Sequence, residues 1–279
     1  MAANKRLRRV GRSKSIATVR IAAGALLLVS ATLRCTSPAE ASLVPVRFAE
    51  GNVHGFLVVR NSADSVLAYG DLLQIPGNGA IASRMTFRFG DGSFFEETVT
   101  FTQKRSFQMQ SYGFEMRGPS FPHDQKISMK RATGAYRVET KSHKDGKVEV
   151  HEGTLKLPDD VYNGMVITLA KNLTNQPRTR VHFVAFMPRP RLIEIDLAVA
   201  NSQKVMLGPI SRNAAHFVIK PQLGGVMQLL AKLLRKLPPD NHVWIMTNDV
   251  PAFVRSDGPL YTNGPVWRVE LSTPRWPGK

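Results

Sequence analysis

Apolar and polar residues alternate along most of the chain, which is typical of β-strands with one buried face. The clearest hairpin joins MTFRF (Met85–Phe89) to FFEETVTFTQ (Phe94–Gln103), because the intervening Gly90–Gly92 turn supplies the positive φ angles that tight turns need. VHGFLVVR (Val53–Arg60) and VLAYGDLLQI (Val66–Ile75) precede it with the same alternation. The first half is therefore predicted to be a succession of antiparallel strands.

The alternation stops after Leu157, and apolar residues then recur at every fourth position, which is helical spacing. We predict a helix from about Asp159 to Asn172, with Asp159 and Asp160 capping its first turn, although Gly164 is a poor helix former. Strand-like runs then resume at Arg180–Pro188, Arg191–Ala200, a hairpin-like SQKVML, Ala214–Leu223, His242–Met246 and Val266–Leu271. The stretch PAFVRSDGPLYTNGP before the last run is predicted to be a loop.

One segment, beginning at Gly224 and ending before Pro238 and Pro239, is strongly amphipathic. Its polar face carries Gln228, Lys232, Arg235 and Lys236, and its apolar face carries Val226, Met227, Leu229, Leu230, Ala231, Leu233, Leu234 and Leu237. Such a helix can lie on a membrane, bind a partner or cover the protein's own sheet. Because the chain returns at once to a strand, we favour a lid or plug over the sheet.

These patterns together predict a mainly β protein. We expect a curved antiparallel sheet or incomplete barrel with two helices packed on or across it, since an open sheet must bury one face. No long polar linker and no fixed repeat divides the chain, so residues 42–279 are predicted to form a single β-rich domain.

The N-terminus carries many basic residues, followed by the apolar run Ile21–Leu33 and the small-residue pattern Ala39-Glu40-Ala41. This predicts a signal peptide over residues 1–41, cleaved after Ala41, and a periplasmic or secreted protein. A retained N-terminal membrane anchor is the alternative. Cleavage removes Cys35, the only cysteine, so the exported chain would have neither a thiol nor a disulfide.

The chain has a formal net charge of +17, which falls to +10 after cleavage, because eight of the 38 basic and one of the 21 acidic residues lie in the first 41. No basic and aromatic motif for stacking bases accompanies this charge, so nucleic acid is not a predicted partner. An anionic envelope surface would suit the charge. Ordinary solvated faces explain it equally directly.

Motifs for catalysis are missing from the sequence. No phosphate loop, dinucleotide fingerprint or nucleophile elbow occurs, and the seven histidines stand singly. Glu96 and Glu97 point to opposite faces of a strand, and Ser120 near His123 lacks an elbow. We therefore predict no catalytic residue, no metal and no cofactor, while noting that His182, His216 and His242 start strands that could bring them together.

Several phrases of the chain, namely GPSFPHDQ, GMVITLAKNL, PPDNHVWIM and DGPLYTNGPVWRVEL, look like those of uncharacterised bacterial exported proteins. The arrangement of a signal peptide, antiparallel strands with Asp-Gly turns and an apolar helix resembles the periplasmic lipoprotein-carrier superfamily. That resemblance implies a curved half-barrel whose concave face, lidded by helices, holds acyl chains. It carries over no individual residue.

We therefore expect a non-catalytic envelope protein that binds a lipid-like or other amphiphilic ligand in a half-barrel cavity. The predicted wall is Phe87, Phe89, Phe101, Phe183, Phe186 and Trp244, and the predicted lid carries Leu229, Leu230, Leu233 and Leu234. An interaction or assembly protein using the loop around Asp257 to Tyr261 is the alternative. A hydrolase would need His182, His216 or His242 to meet a nucleophile or a metal.

Overall fold

A computed structural model describes residues 43–174, 176–187, 189–207, 210–222, 239–247 and 250–272, all within one compact unit. These residues form fourteen strands and one helix. The elements are β1 Val53–Arg60, β2 Val66–Gly77, β3 Ala80–Phe89, β4 Phe94–Gln103, β5 Phe107–Arg117, β6 His123–Lys130, β7 Ala135–Ser142, β8 Val148–Thr154, α1 Val166–Asn172, β9 Arg178–Ala185, β10 Arg191–Leu207, β11 Ile210–Gln222, β12 Asn241–Met246, β13 Ala252–Gly258 and β14 Trp267–Leu271.

All fourteen strands belong to one open antiparallel sheet, in the order β8-β7-β6-β5-β4-β3-β2-β1-β14-β13-β12-β11-β10-β9. Each strand pairs with its sequence neighbour, except that β8 and β9 lie at opposite edges and β1 pairs with β14. The register Leu57↔Leu271 to Arg60↔Arg268 makes that central joint. The prediction of a mainly β, antiparallel fold is confirmed.

The sheet bends until its two arms meet. Tyr112 lies on β5 and Phe186 directly follows β9, ten strand positions away, yet their rings stack with centroids 5.9 Å apart. A flat sheet would separate those strands by about 48 Å, since neighbouring strands lie about 4.8 Å apart. The inward face of the bend contains the main hydrophobic core.

Alternation decides which side chains enter this core. On β3 the buried residues are Ile81, Phe87 and Phe89, with exposed Ala82, Arg84 and Arg88 between them. The Phe87 ring contacts the Phe95 ring of β4 at 5.7 Å. Burying one such aromatic side chain contributes about 1.5–3 kcal/mol, so the inward positions of the strands supply most of the stabilisation.

Three predictions about strands need correction. The stretch predicted as a Gly- and Pro-rich loop contains β13, and β6 was not predicted at all. Residues SQKVML do not form a separate hairpin arm, because β10 continues through a bulge at Ala200 as a single 17-residue strand. Bulges interrupt the pairing of β10 with β11 and of β13 with β12. β6 does alternate, but only two of its buried residues, Ile127 and Met129, are apolar, so the pattern is too short to stand out in the sequence.

Of the two predicted helices, the described residues contain one, α1. The second predicted helix, over Gly224–Leu237, lies outside them. The first begins at Val166, several residues later than predicted. The helix does not begin earlier because Gly164 takes a φ of 73°, which a right-handed helix excludes. Its N-cap is Met165, which makes no side-chain capping bond.

The two aspartates predicted to cap the helix make other contacts. Asp159 accepts a hydrogen bond from the Arg131 guanidinium at 2.6 Å, and both oxygens of Asp160 lie 3.0 Å from Nδ1 of His182. The backbone of residues 160–162 pairs in parallel with β9 at His182. The chain therefore covers part of the β9 edge before it enters the helix.

An N-terminal strap, defined here as residues 43–50, closes one end of the bend. Val44 is fully buried, and its backbone N–H donates to the Tyr162 hydroxyl at 3.0 Å. The Asn172 side chain at the end of α1 accepts from two backbone N–H groups of the strap, at 2.9 and 2.8 Å. The strap and α1 thus hold each other against the sheet.

Candidate ligand-binding cavity

A cavity of about 290 Å³ lies on the inward face of the bend, beneath α1. Both arms of the sheet contribute to it, since β2–β5 form one wall and β9 and β11–β14 form the other. The apolar lining includes Leu72, Met85, Phe95, Val99, Ile219, Val243 and Val269, with Val166 and Ile167 of α1 above. An engineered apolar cavity of about 150 Å³ holds benzene, so this one accommodates on the order of a dozen non-hydrogen atoms.

The strand register explains why polar side chains also face this cavity. One inward row runs Gln74, Ser83, Val99, Tyr112 across β2 to β5, and the next runs Leu72, Met85, Glu97, Phe114. Each row therefore carries polar groups at positions where a strand normally presents apolar ones. The cavity combines an apolar wall with a few fixed polar groups, which is typical of small-molecule sites.

Glu97 and Tyr112 form the principal polar pair. The Tyr112 hydroxyl donates to Oε1 of Glu97 at 3.0 Å, and the described residues provide this carboxyl with no cationic partner. Removal from water raises the pKa of Glu97 above its usual 4.5, while the hydrogen bond from Tyr112 opposes that shift. Burial and the neighbouring carboxylate raise the pKa of Tyr112 well above 10.0, so its hydroxyl remains a donor.

Gln74 places a second acceptor at the cavity. Its side chain is only 3% exposed, and Oε1 has no hydrogen-bond partner among the described residues. A buried carbonyl without a partner costs about 1–3 kcal/mol. Gln74 lines the cavity, so a bound ligand is one source of the missing donor.

The segment above the cavity is held by backbone contacts. Asn163 donates to the carbonyl of Val184 at 2.9 Å and accepts from its N–H at 2.8 Å, which fixes the segment to β9. At Gly164 an added Cβ would lie 3.1 Å from Val99 and 3.3 Å from the Tyr112 ring. A glycine is needed there for both its positive φ and this close packing.

The predicted wall residues fall into three groups. Phe183 lines the cavity, and Phe186 stacks on Tyr112 beside it. Phe87 and Phe101 are fully buried in the surrounding core, and Phe89 packs against Phe121 and Trp267. Trp244 lies on the opposite face of β12 from Val243, in a separate cluster, and Leu229, Leu230, Leu233 and Leu234 lie outside the described residues.

Sequence reasoning did not name Gln74, Tyr112 or Asn163, and it considered Glu97 only as part of a carboxylate pair that it rejected for catalysis. A usable signal existed for Glu97, because Phe95, Val99 and Phe101 share its parity along β4. A carboxylate within an otherwise apolar alternation marks an inward-facing charged group. Its partner on β5 depends on the pairing register, which alternation within one strand does not give.

Of the three histidines that start strands, the structure brings two together. His216 Nε2 and His242 Nδ1 are 2.9 Å apart, whereas His182 pairs with Asp160 instead. Burial, with a smaller contribution from His242, lowers the pKa of His216. Within the described ranges, no group of three or more His, Cys, Asp or Glu side chains is placed to hold a metal ion.

Ser120 makes structural contacts. Its hydroxyl donates to Asp91 at 2.7 Å and its backbone N–H donates to the Ser93 hydroxyl at 2.8 Å, so it ties two turns together. The loop proposed for partner binding turns inward, because Leu260 lines the cavity and the Tyr261 ring packs against Phe121 at 5.5 Å.

None of the helices among the described residues has the length and apolarity needed to cross a membrane. Comparison with known proteins found no matching family model, no matching curated protein and no matching solved structure. The cavity and its polar groups are therefore the observations on which a functional proposal rests.

Proposed function

We propose that the protein is a non-catalytic binding protein that holds an apolar or amphiphilic ligand in the cavity beneath α1. One observation carries this proposal: the inward face of the bent sheet leaves an apolar space of about 290 Å³ to which a few polar side chains are directed. A well-packed core has few voids larger than a water molecule. A cavity of this size supports the proposal that a small molecule binds there.

The bent open sheet also supports the half-barrel architecture implied by the resemblance to lipoprotein carriers. In the proposed arrangement, α1 covers the concave face, and the amphipathic segment between β11 and β12 adds a lid. The described ends of those strands support this, because Ile219 and Asn241 line the cavity. We further propose export to the periplasm, on the pattern of residues 1–41.

The direct test is a calorimetric titration with 1-octanol, which is small enough for the cavity. The protein is expressed from the full chain. Ser83→Phe places a ring in the cavity, because Ser83 is an inward residue of β3 that lines it. We expect the wild type to bind, and this variant to bind at least about tenfold more weakly.

Ala82→Phe is the matched control, since Ala82 neighbours Ser83 on the same strand but is exposed on the other face. It should bind like the wild type. Thermal unfolding checks that both variants fold. Equal binding by all three proteins, or none by the wild type, would contradict the proposal.

A further inference from the structure

Among the described residues, the charged groups at the cavity are all acidic. The charged side chains among its described lining residues are Glu97 and Asp257, with no lysine, arginine or histidine. Arg255 already binds Asp257 through two hydrogen bonds, including one of 2.8 Å from Nε to Oδ1. Among the described lining residues, Glu97 is thus the carboxylate without a cationic partner.

Glu97 also retains an unused oxygen. Tyr112 donates to Oε1, and Oε2 has no hydrogen-bond partner among the described residues. A half-buried carboxylate beside an apolar wall favours an opposite charge, because part of its own hydration has been lost. The carboxylate is already oriented by Tyr112, so a cation meets it without further rearrangement.

Gln74 also favours a ligand that donates hydrogen bonds. Gln74 pairs with Ser83 of β3, and Glu97 pairs with Met85, two residues further along the same strand. Gln74 and Glu97 therefore lie in neighbouring rows of one wall. The unpartnered Oε1 of Gln74 accepts a hydrogen bond and cannot donate one. Both groups therefore call for hydrogen-bond donors on the ligand.

We propose that the ligand is an amphiphile whose polar end is an amine, bound by the Glu97 carboxylate, while Gln74 Oε1 accepts a second hydrogen bond from the same ligand. This inference rests on the proposed binding function. It narrows the ligand class, because the free carboxylate of a fatty acid or a phosphate group would face Glu97 with no cation beside it. The apolar part is short, as the cavity volume requires.

The test is a titration at neutral pH with three probes of equal chain length: octylamine, 1-octanol and octanoate. We expect octylamine to bind at least about tenfold more tightly than octanoate, with the alcohol between them, because a like charge beside Glu97 is unfavourable. Octanoate binding as tightly as octylamine would overturn the inference. If the alcohol binds in that case, the proposed function still stands.

Two variants assign the preference to residues. Glu97→Gln keeps an oxygen for Tyr112 but removes the charge, so the preference for octylamine over 1-octanol should disappear. Gln74→Leu removes the second acceptor and should weaken octylamine binding by about tenfold. Glu96→Gln, on the opposite face of the same strand, is the control and should keep the wild-type order. An unchanged amine preference in Glu97→Gln would refute the assignment.

Discussion

Two carboxylates near α1 differ in how their charge is compensated. Both oxygens of Glu50 lie within hydrogen-bond distance of the Lys171 ammonium, at 2.9 and 2.7 Å, and both residues are 7% exposed. Among the described residues, Glu97 has only the Tyr112 hydroxyl as a hydrogen-bond partner. The charge of Glu50, on the strap, is thus fully compensated by Lys171. Glu97, at the cavity, has one carboxylate oxygen without a hydrogen-bond partner in the part of the chain that the structure describes.

This difference separates buried polar groups that stabilise the fold from buried polar groups that can bind a ligand. A buried charge that is paired and hydrogen-bonded fixes one arrangement of the chain, and removing either partner exposes the cost of the other. A buried acceptor that has no partner reduces stability and is explained by a ligand that supplies the donor. The following predictions test this distinction by the sign of the change in stability.

The largest change in stability is expected at the ion pair between Glu50 and Lys171. Lys171→Met leaves Glu50 buried without its cation and should lower the free energy of unfolding by about 3–5 kcal/mol. Urea denaturation measures this loss. The double variant Lys171→Met with Glu50→Leu should recover most of it, because no buried charge is left unpaired. If Lys171→Met were as stable as the wild type, the claim that Glu50 and Glu97 differ in charge compensation would be refuted.

The opposite sign is expected at the cavity. Gln74→Leu removes a buried carbonyl oxygen that lacks a partner, and should raise the free energy of unfolding of the ligand-free protein by about 1–3 kcal/mol. The same denaturation experiment applies. A loss of stability would mean that the oxygen is satisfied in the ligand-free protein and is not held for a ligand.

A pH-dependent gain is expected for Glu97→Gln. Because the folded state raises the pKa of Glu97 above its usual 4.5, the folded protein binds the proton more readily than the unfolded chain, and the wild type loses stability as pH rises between those two values. The variant should therefore be more stable at neutral pH, with the advantage vanishing below pH 4.5. Tyr112, which faces Glu97, stays protonated throughout this range.

The smallest effect is expected for Glu96→Gln. Glu96 lies on the other face of β4, outside the cavity lining, so its unfolding free energy should stay within about 0.5 kcal/mol of the wild type at each pH. Thermal melts of the two glutamine variants across the pH series provide the comparison. Equal pH profiles for both would show that Glu97 is not specifically desolvated.

Much of the sheet was predictable because alternation is local. The turn at Gly90–Gly92 and the inward parity of Phe87 and Phe89 follow from a few neighbouring residues. The start of α1 was not predictable in this way, since Gly164 is fixed by its contact with Val99 and Tyr112, and Asp160 is used by His182. Those contacts join strands that are remote in sequence.

The candidate site shows the same limit. Phe183 was named because it is apolar and lies in a strand, but Trp244, chosen for the same reason, faces the other way. Glu97 and Tyr112 meet only because β4 and β5 pair in one register, with a bulge between Thr100 and Phe101. Register and curvature, which bring the two arms together, arise from the whole sheet.

The most direct test of the proposed binding function is mass spectrometry of organic extracts from the protein, purified without detergent from the cells that express it. The wild type and Ser83→Phe are compared with a mock purification. We predict an amine-bearing amphiphile at about one molecule per wild-type chain and its loss from Ser83→Phe. Extracts of the wild type that match the mock purification, or equal amounts in both proteins, would contradict the assignment of this cavity as a ligand site.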